Sequence, residues 1–123
     1  MDMDRGEKVT LGGKEYTLVL TLRAQKEIAK KYGGLENLAE ELDGVEGMDA
    51  AVWFITLLAN QGIMIENLGS NEKQPLLTEA EVELLSSPGQ FQDFVPLLES
   101  AIAKGMKRHV ESEDSEEKNA QAG

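Results

Sequence analysis

From residue 8 the chain alternates apolar and polar positions with a period of two: Val9 and Leu11, then Tyr16, Leu18 and Leu20. That is the period of a strand with one buried face. Gly12-Gly13 separates the two runs, and paired glycines tolerate the positive φ of a tight turn, so the pattern predicts a β-hairpin. Two strands alone are marginally stable in water, so their apolar face must pack on helices. After Thr21, an N-cap residue, the period becomes helical: Gln25, Ile28, Ala29 and Tyr32 share one stripe, and Arg23, Lys26 and Lys30 share another. Gly33-Gly34 ends this helix. The stretch Leu35 to Leu42 spaces its leucines and Ala39 for a second, short helix that Asp43-Gly44 closes.

Asp49 to Asn60 is apolar nearly all round, the composition of a helix surrounded by other elements, and it predicts the centre of the core around Trp53. Beyond Gly62, Ile63-Met64-Ile65 and Leu68 add an apolar patch before the polar, aperiodic stretch Gly69 to Pro75, which reads as a surface loop. Thr78-Glu79-Ala80-Glu81 is a capping box, with Leu77 and Val82 as its hydrophobic staple. That helix stops at Ser86-Ser87-Pro88-Gly89. A last helix carries Phe91, Phe94, Val95, Leu98, Ala101, Ile102 and Met106, and Asp93 as its N-cap would place Pro96 in the first turn, where proline is tolerated. The expected class is α+β, mainly α: an N-terminal hairpin followed by about five helices in one domain over 1–109. From Glu111 the chain is acidic and almost free of apolar residues, so 110–123 are expected to be a disordered tail.

Charge narrows the partners. The 123 residues hold 12 Lys and Arg against 23 Asp and Glu, a formal net charge of -11, which opposes nonspecific binding to nucleic acid or anionic membranes. The first residues lack the basic-then-apolar order of a signal peptide, and no unbroken apolar run approaches the ~20 residues that cross a bilayer, so a cytoplasmic location is expected.

Candidate chemistry is sparse. With no Cys, thiol catalysis, cysteine-ligated zinc and disulfides are excluded. The single His109 cannot build a His-rich metal site. Phosphate-loop, dinucleotide and nucleophile-elbow motifs do not occur. Glu40-Glu41 and Glu79, Glu81 and Glu83 sit where solvated helix faces and caps place carboxylates, and the run Glu111 to Glu117 lacks the alternation and central glycine of an EF-hand loop. Lys26, Lys30 and Lys31 read as an exposed helix face, with Glu27 among them. The expectation is a protein without catalytic centre, cofactor or metal, acting by apolar docking through Ile63, Met64, Ile65, Phe91 and Phe94, which flank loops and exceed what one core face needs.

Taken in order, a hairpin with a Gly-Lys-x-Tyr-x-Leu second strand, a Leu22-Arg23-Ala24-Gln25-Lys26-Glu27-Ile28 helix ending Tyr32-Gly33-Gly34, an apolar central helix and the capped Leu77 to Val82 helix resemble the tail assembly chaperones of long-tailed bacteriophages and of prophages in Gram-positive bacteria. The resemblance spans roughly residues 7–108 and rests on short motifs. It implies a small, mainly helical protein that binds the long helical tape-measure protein, keeps it soluble, and helps recruit tail-tube subunits. Covering a long client also implies many copies, hence a homo-oligomer. Members of that family are made in two lengths by a ribosomal slip, and Glu117-Lys118-Asn119 can be encoded as GAA-AAA-AAC, which contains a slippery heptanucleotide; an ordinary polar tail is the other reading of those residues. A rival class is a nucleic-acid mimic whose carboxylates occupy a DNA-binding host protein, although Arg23, Lys26, Lys30 and Lys31 interrupt its acidic surface.

Overall fold

The hairpin forms where the alternation places it. In the computed structural model, which describes residues 6–35, 38–42 and 44–107, β1 (Gly6–Leu11) and β2 (Lys14–Val19) pair antiparallel, Val9 opposite Tyr16 and Leu11 opposite Lys14. Gly12 and Gly13 form the two-residue turn at φ 60° and 83°, a geometry that side chains with a Cβ resist. The second strand departs from one-sided burial, because Thr17, Leu18, Val19 and Leu20 are all buried. Both α3 and α5 pack against it.

Thr21 caps α1 (Leu22–Tyr32) by accepting the Ala24 N–H at 3.0 Å, and Gly33 closes it in the left-handed region, its N–H donating to the Ala29 carbonyl. The buried stripe is Ala24 and Ile28 with half-buried Tyr32; Ala29, expected on that stripe, is exposed. The short second helix is only one turn, α2 (Leu38–Glu41), and the proposed closing residue Asp43 lies outside the described residues.

The central helix α3 (Gly44–Leu68) is far longer than the apolar segment that predicts it. Gly62 does not interrupt it and is buried within it; glycine's intrinsic penalty of about 1 kcal/mol is outweighed by the burial of Leu58, Ala59 and Ile63 around it. Near its start, a Cβ on Gly47 would overlap the Leu42 carbonyl, so this close crossing with the end of α2 requires glycine. By length and composition Glu46–Leu68 would suit a bilayer, but 67% of the apolar window is buried against the rest of the fold, as in a core helix.

The capping box opens α4 (Glu79–Leu85) as its sequence requires: Thr78 Oγ1 accepts from Glu81 N–H at 3.1 Å and Glu81 accepts from Thr78 N–H at 2.9 Å. The last helix α5 (Pro88–Met106) begins five residues before the expected Asp93 cap. Ser87 is its N-cap, accepting from Gln90 N–H, and Pro88 takes the first helical position, where its missing N–H costs nothing. Pro96 therefore lies inside the helix on its exposed side, and the Gln92 carbonyl loses its partner four residues on. Burial of Phe94, Leu98, Ala101 and Ile102 along the opposite face holds the helix together across that break. The molecule is thus a mainly helical α+β fold with an N-terminal hairpin; the expected acidic tail, 110–123, lies outside the described residues.

Candidate functional site

Two surfaces of α3 meet the rest of the chain in different ways. In its C-terminal half, Asn60 donates to the Leu77 carbonyl at 2.9 Å and accepts from Leu77 N–H at 2.7 Å. Two helical turns later Asn67 does the same with Gln74, at 3.0 and 2.9 Å. Seven helical residues advance about 10.5 Å and three extended residues about 10 Å, so the stretch 74–77 runs antiparallel along the helix in register with both asparagines. Lys73 then reaches the Ser70 and Asn67 carbonyls, a cation at the helix C-terminus. The polar loop is a strap fastened to α3, a feature its lack of periodicity concealed.

In the N-terminal half, Met48, Asp49 and Val52 share one face of α3 and look toward the elbow where α4 passes into α5. That elbow does not fill the space. An open groove of about 300 Å³ lies between the helices, floored by Phe94 and walled by Val52, Pro88 and Phe91. Phe94 is 1% exposed, whereas Met48 at the rim is 44% exposed. The groove's polar groups are few. Ser86 donates to the Val82 carbonyl at 2.7 Å and Ser87 accepts from Gln90 N–H at 3.1 Å, so both hydroxyls serve helix ends. The remaining two are the carboxylates of Asp49 and Glu83, and the lining contains no Lys or Arg. Glu79 stands one turn before Glu83 on α4.

Beside the groove, on the face of α3 that also carries Asp49, Trp53 joins an aromatic cluster. Tyr32 stacks on Phe54 at 5.3 Å and Trp53 meets both rings edge-on at 5.4 and 5.1 Å. Lys31 Nζ lies 5.5 Å from the Tyr32 and Trp53 ring centres, a cation over aromatic faces. Burial, then the negative charges of Glu41, Glu79 and Asp49, push the Tyr32 phenol above its ordinary pKa. Those carboxylates therefore converge on one side of the molecule.

The residues expected to form one docking surface do not lie together. Ile63 is 4% exposed and turns inward from α3 into the core, whereas Phe94, 1% exposed, forms the floor of the groove. Phe91 is half-buried and walls the groove. Met64 and Ile65 are half-buried on α3, about 18 Å along the axis from Val52, and Arg23 Nη1 lies 3.4 Å from the Met64 sulfur. Around them Leu22 and Leu68 are exposed. Met48 and Val52 carry no site signal in the sequence, because their partners on α4 and α5 are over thirty positions away and no local pattern marks them.

Among the described residues no group of His, Asp and Glu is arranged to hold a metal ion. On the basic face of α1, Lys30 pairs with Glu27 at 3.7 Å, both exposed. No protein-family model, curated protein or solved structure matches this chain.

Proposed function

We propose that this protein is a tail assembly chaperone of the kind made by long-tailed bacteriophages and prophages, acting in the cytoplasm of the bacterial host. It binds the tape-measure protein, keeps it soluble and helps bring tail-tube subunits to it, without catalysis and without a cofactor. The observation that carries the reading is the groove between α3 and the α4–α5 elbow: an apolar cleft whose only free polar groups are carboxylates suits protein docking and lacks the convergent donors that a small-molecule or catalytic site uses. The charge of -11 supports it, since a chaperone that presents apolar surface needs electrostatic repulsion to stay dispersed.

The test is co-expression with a tape-measure protein of a long-tailed phage. The expected result is that the client moves from the pellet to the soluble fraction and co-purifies with several copies of this chain. Capture of a nuclease or repressor in place of the tail protein, with loss of binding at high salt, would transfer the reading to phosphate mimicry. Light scattering on the free protein tests the expected homo-oligomer, and a monomer with and without client would remove that part.

A further inference from the structure

The groove has a chemical polarity that selects its occupant. Its floor and walls, Val52, Pro88, Phe91 and Phe94, take apolar side chains, and its two rims carry Asp49 from α3 and Glu83 from α4. Glu79 extends the second rim by one turn. No cation among the lining residues neutralises them. A space of about 300 Å³ is at the bottom of the range for sites that enclose organic ligands, and it accommodates one or two large apolar side chains.

We propose that the groove is the docking site for an amphipathic helix of a partner protein that inserts Leu, Met or Phe between Val52 and Phe91 and places Lys or Arg on either flank, against Asp49 and Glu83. A helix suits this geometry because residues three and four apart share a face, so an apolar anchor and a flanking cation are separated by about one turn. Charge decides among the occupants. The chain's own segment Glu111 to Glu117 is acidic and would meet carboxylates with carboxylates. A second copy of the chain, acidic overall at -11, brings no excess of cations to these carboxylate rims, whatever contacts it makes elsewhere. A basic helix gains at both steps, faster encounter and paired rims. The inference rests on the reading of the groove as a client site and adds the chemistry of what enters it.

Trp53, the single tryptophan, is half-buried one turn from Asp49 and reports occupancy through its fluorescence. The probe is an 18-residue tryptophan-free helical peptide with leucines at i and i+4 and lysines flanking them, titrated into the full-length protein. Its partner peptide has glutamates for the lysines. The lysine peptide is expected to bind at least about tenfold more tightly and to weaken as salt rises from 0.05 to 0.5 M. An Asp49→Asn, Glu83→Gln double variant, which alters only the rims, is expected to lose about fivefold to tenfold in affinity for the lysine peptide and nothing for an uncharged one. Phe91→Ser is expected to abolish binding of both.

Equal affinity for the two charged peptides, or full affinity in the rim variant, overturns the proposal. So does a dimer of this chain that the peptide dissolves, since the groove would then belong to a second copy. The two readings fail separately. Peptide binding with no effect on tape-measure solubility removes the assembly role alone, and a tape-measure protein kept soluble by the Phe91→Ser variant removes the groove alone.

Discussion

The two halves of α3 are both rich in apolar residues, yet one is closed by its own chain and the other is left open. The closed half is sealed by polar chemistry. Asn60 and Asn67 each satisfy a backbone donor and acceptor of the strap, so the stretch 74–77 lies against the helix with its hydrogen-bonding groups paired. The open half has no such clamp between α3 and the elbow: its polar side chains are carboxylates at the rims, and its serines are occupied at helix ends. Apolar surface alone does not bring a loop down onto a helix, because the loop's backbone must also be satisfied. Where the sequence supplies the asparagines, the helix holds its own chain against it; where it supplies Asp49 and Glu83, surface remains available to another molecule.

The largest effect should come from breaking the clamp. Asn60→Ala leaves the Leu77 N–H and carbonyl without partners at a half-buried position, and the expected loss is about 2 kcal/mol. Asn67→Ala removes the same pair of bonds at an exposed position, where water replaces them and the loss should be about 0.5 kcal/mol. Urea unfolding midpoints measure both. Equal losses would mean that the strap is held by Leu77 packing alone and that the asparagines are incidental.

A smaller effect is expected at the other closed seam, where α5 covers the outer edge of β1. Gln90 donates to the Thr10 carbonyl at 2.6 Å and Lys104 to the Gly6 carbonyl at 3.3 Å, so the unpaired edge of the hairpin is not left as a template for another strand. Glu7 fastens this seam, accepting from the Ser100 hydroxyl and pairing with Lys104 at 2.9 Å. The Ser100 hydrogen bond first, then Lys104, hold the Glu7 carboxyl below its usual 4.5 against the opposing effect of burial. A depressed folded-state pKa means that the stabilisation is fully present above the unfolded value and is lost as pH falls below about 4.5. Glu7→Gln should therefore lower stability by about 1 kcal/mol at pH 7 and flatten the decline between pH 5 and the acid transition. A variant with an unchanged acid profile would show that the Glu7 contacts add nothing in solution.

Local signals made part of this fold legible and concealed the rest. The hairpin turn, the Thr21 cap and the Thr78–Glu81 box are each settled by residues within four positions of one another, and each stands in the structure as read. The start of α5 was misplaced because Pro96 outweighed the Ser87-Pro88 signature; tertiary burial on the opposite helix face overrides the local penalty of an interior proline. The groove could not be read at all, since Val52 and Phe91 meet only after α3, the strap and α4 have been laid down, and the apolar content of Ile63 and Phe94 is identical whether they face solvent or core.

The smallest effect tests whether the open side of α3 is electrostatically what the groove requires. Burial first, and then Glu41, Glu79 and Asp49, raise the Tyr32 phenol above 10.0. Since the neutral form is the one the folded state favours, the associated stability is present below pH 10 and is lost as pH rises through the folded-state value. Ultraviolet titration of a Tyr16→Phe variant isolates Tyr32 and should show it ionising later than free tyrosine. Adding Glu41→Gln and Glu79→Gln should return it part of the way while burial holds the remainder, and raising salt should act in the same direction as removing the carboxylates. If neither change moves the titration, the acids on this side do not act together as a negative field, and the attraction of a basic helix to the groove loses its long-range component while the contacts of Asp49 and Glu83 at the rims must carry selectivity by themselves.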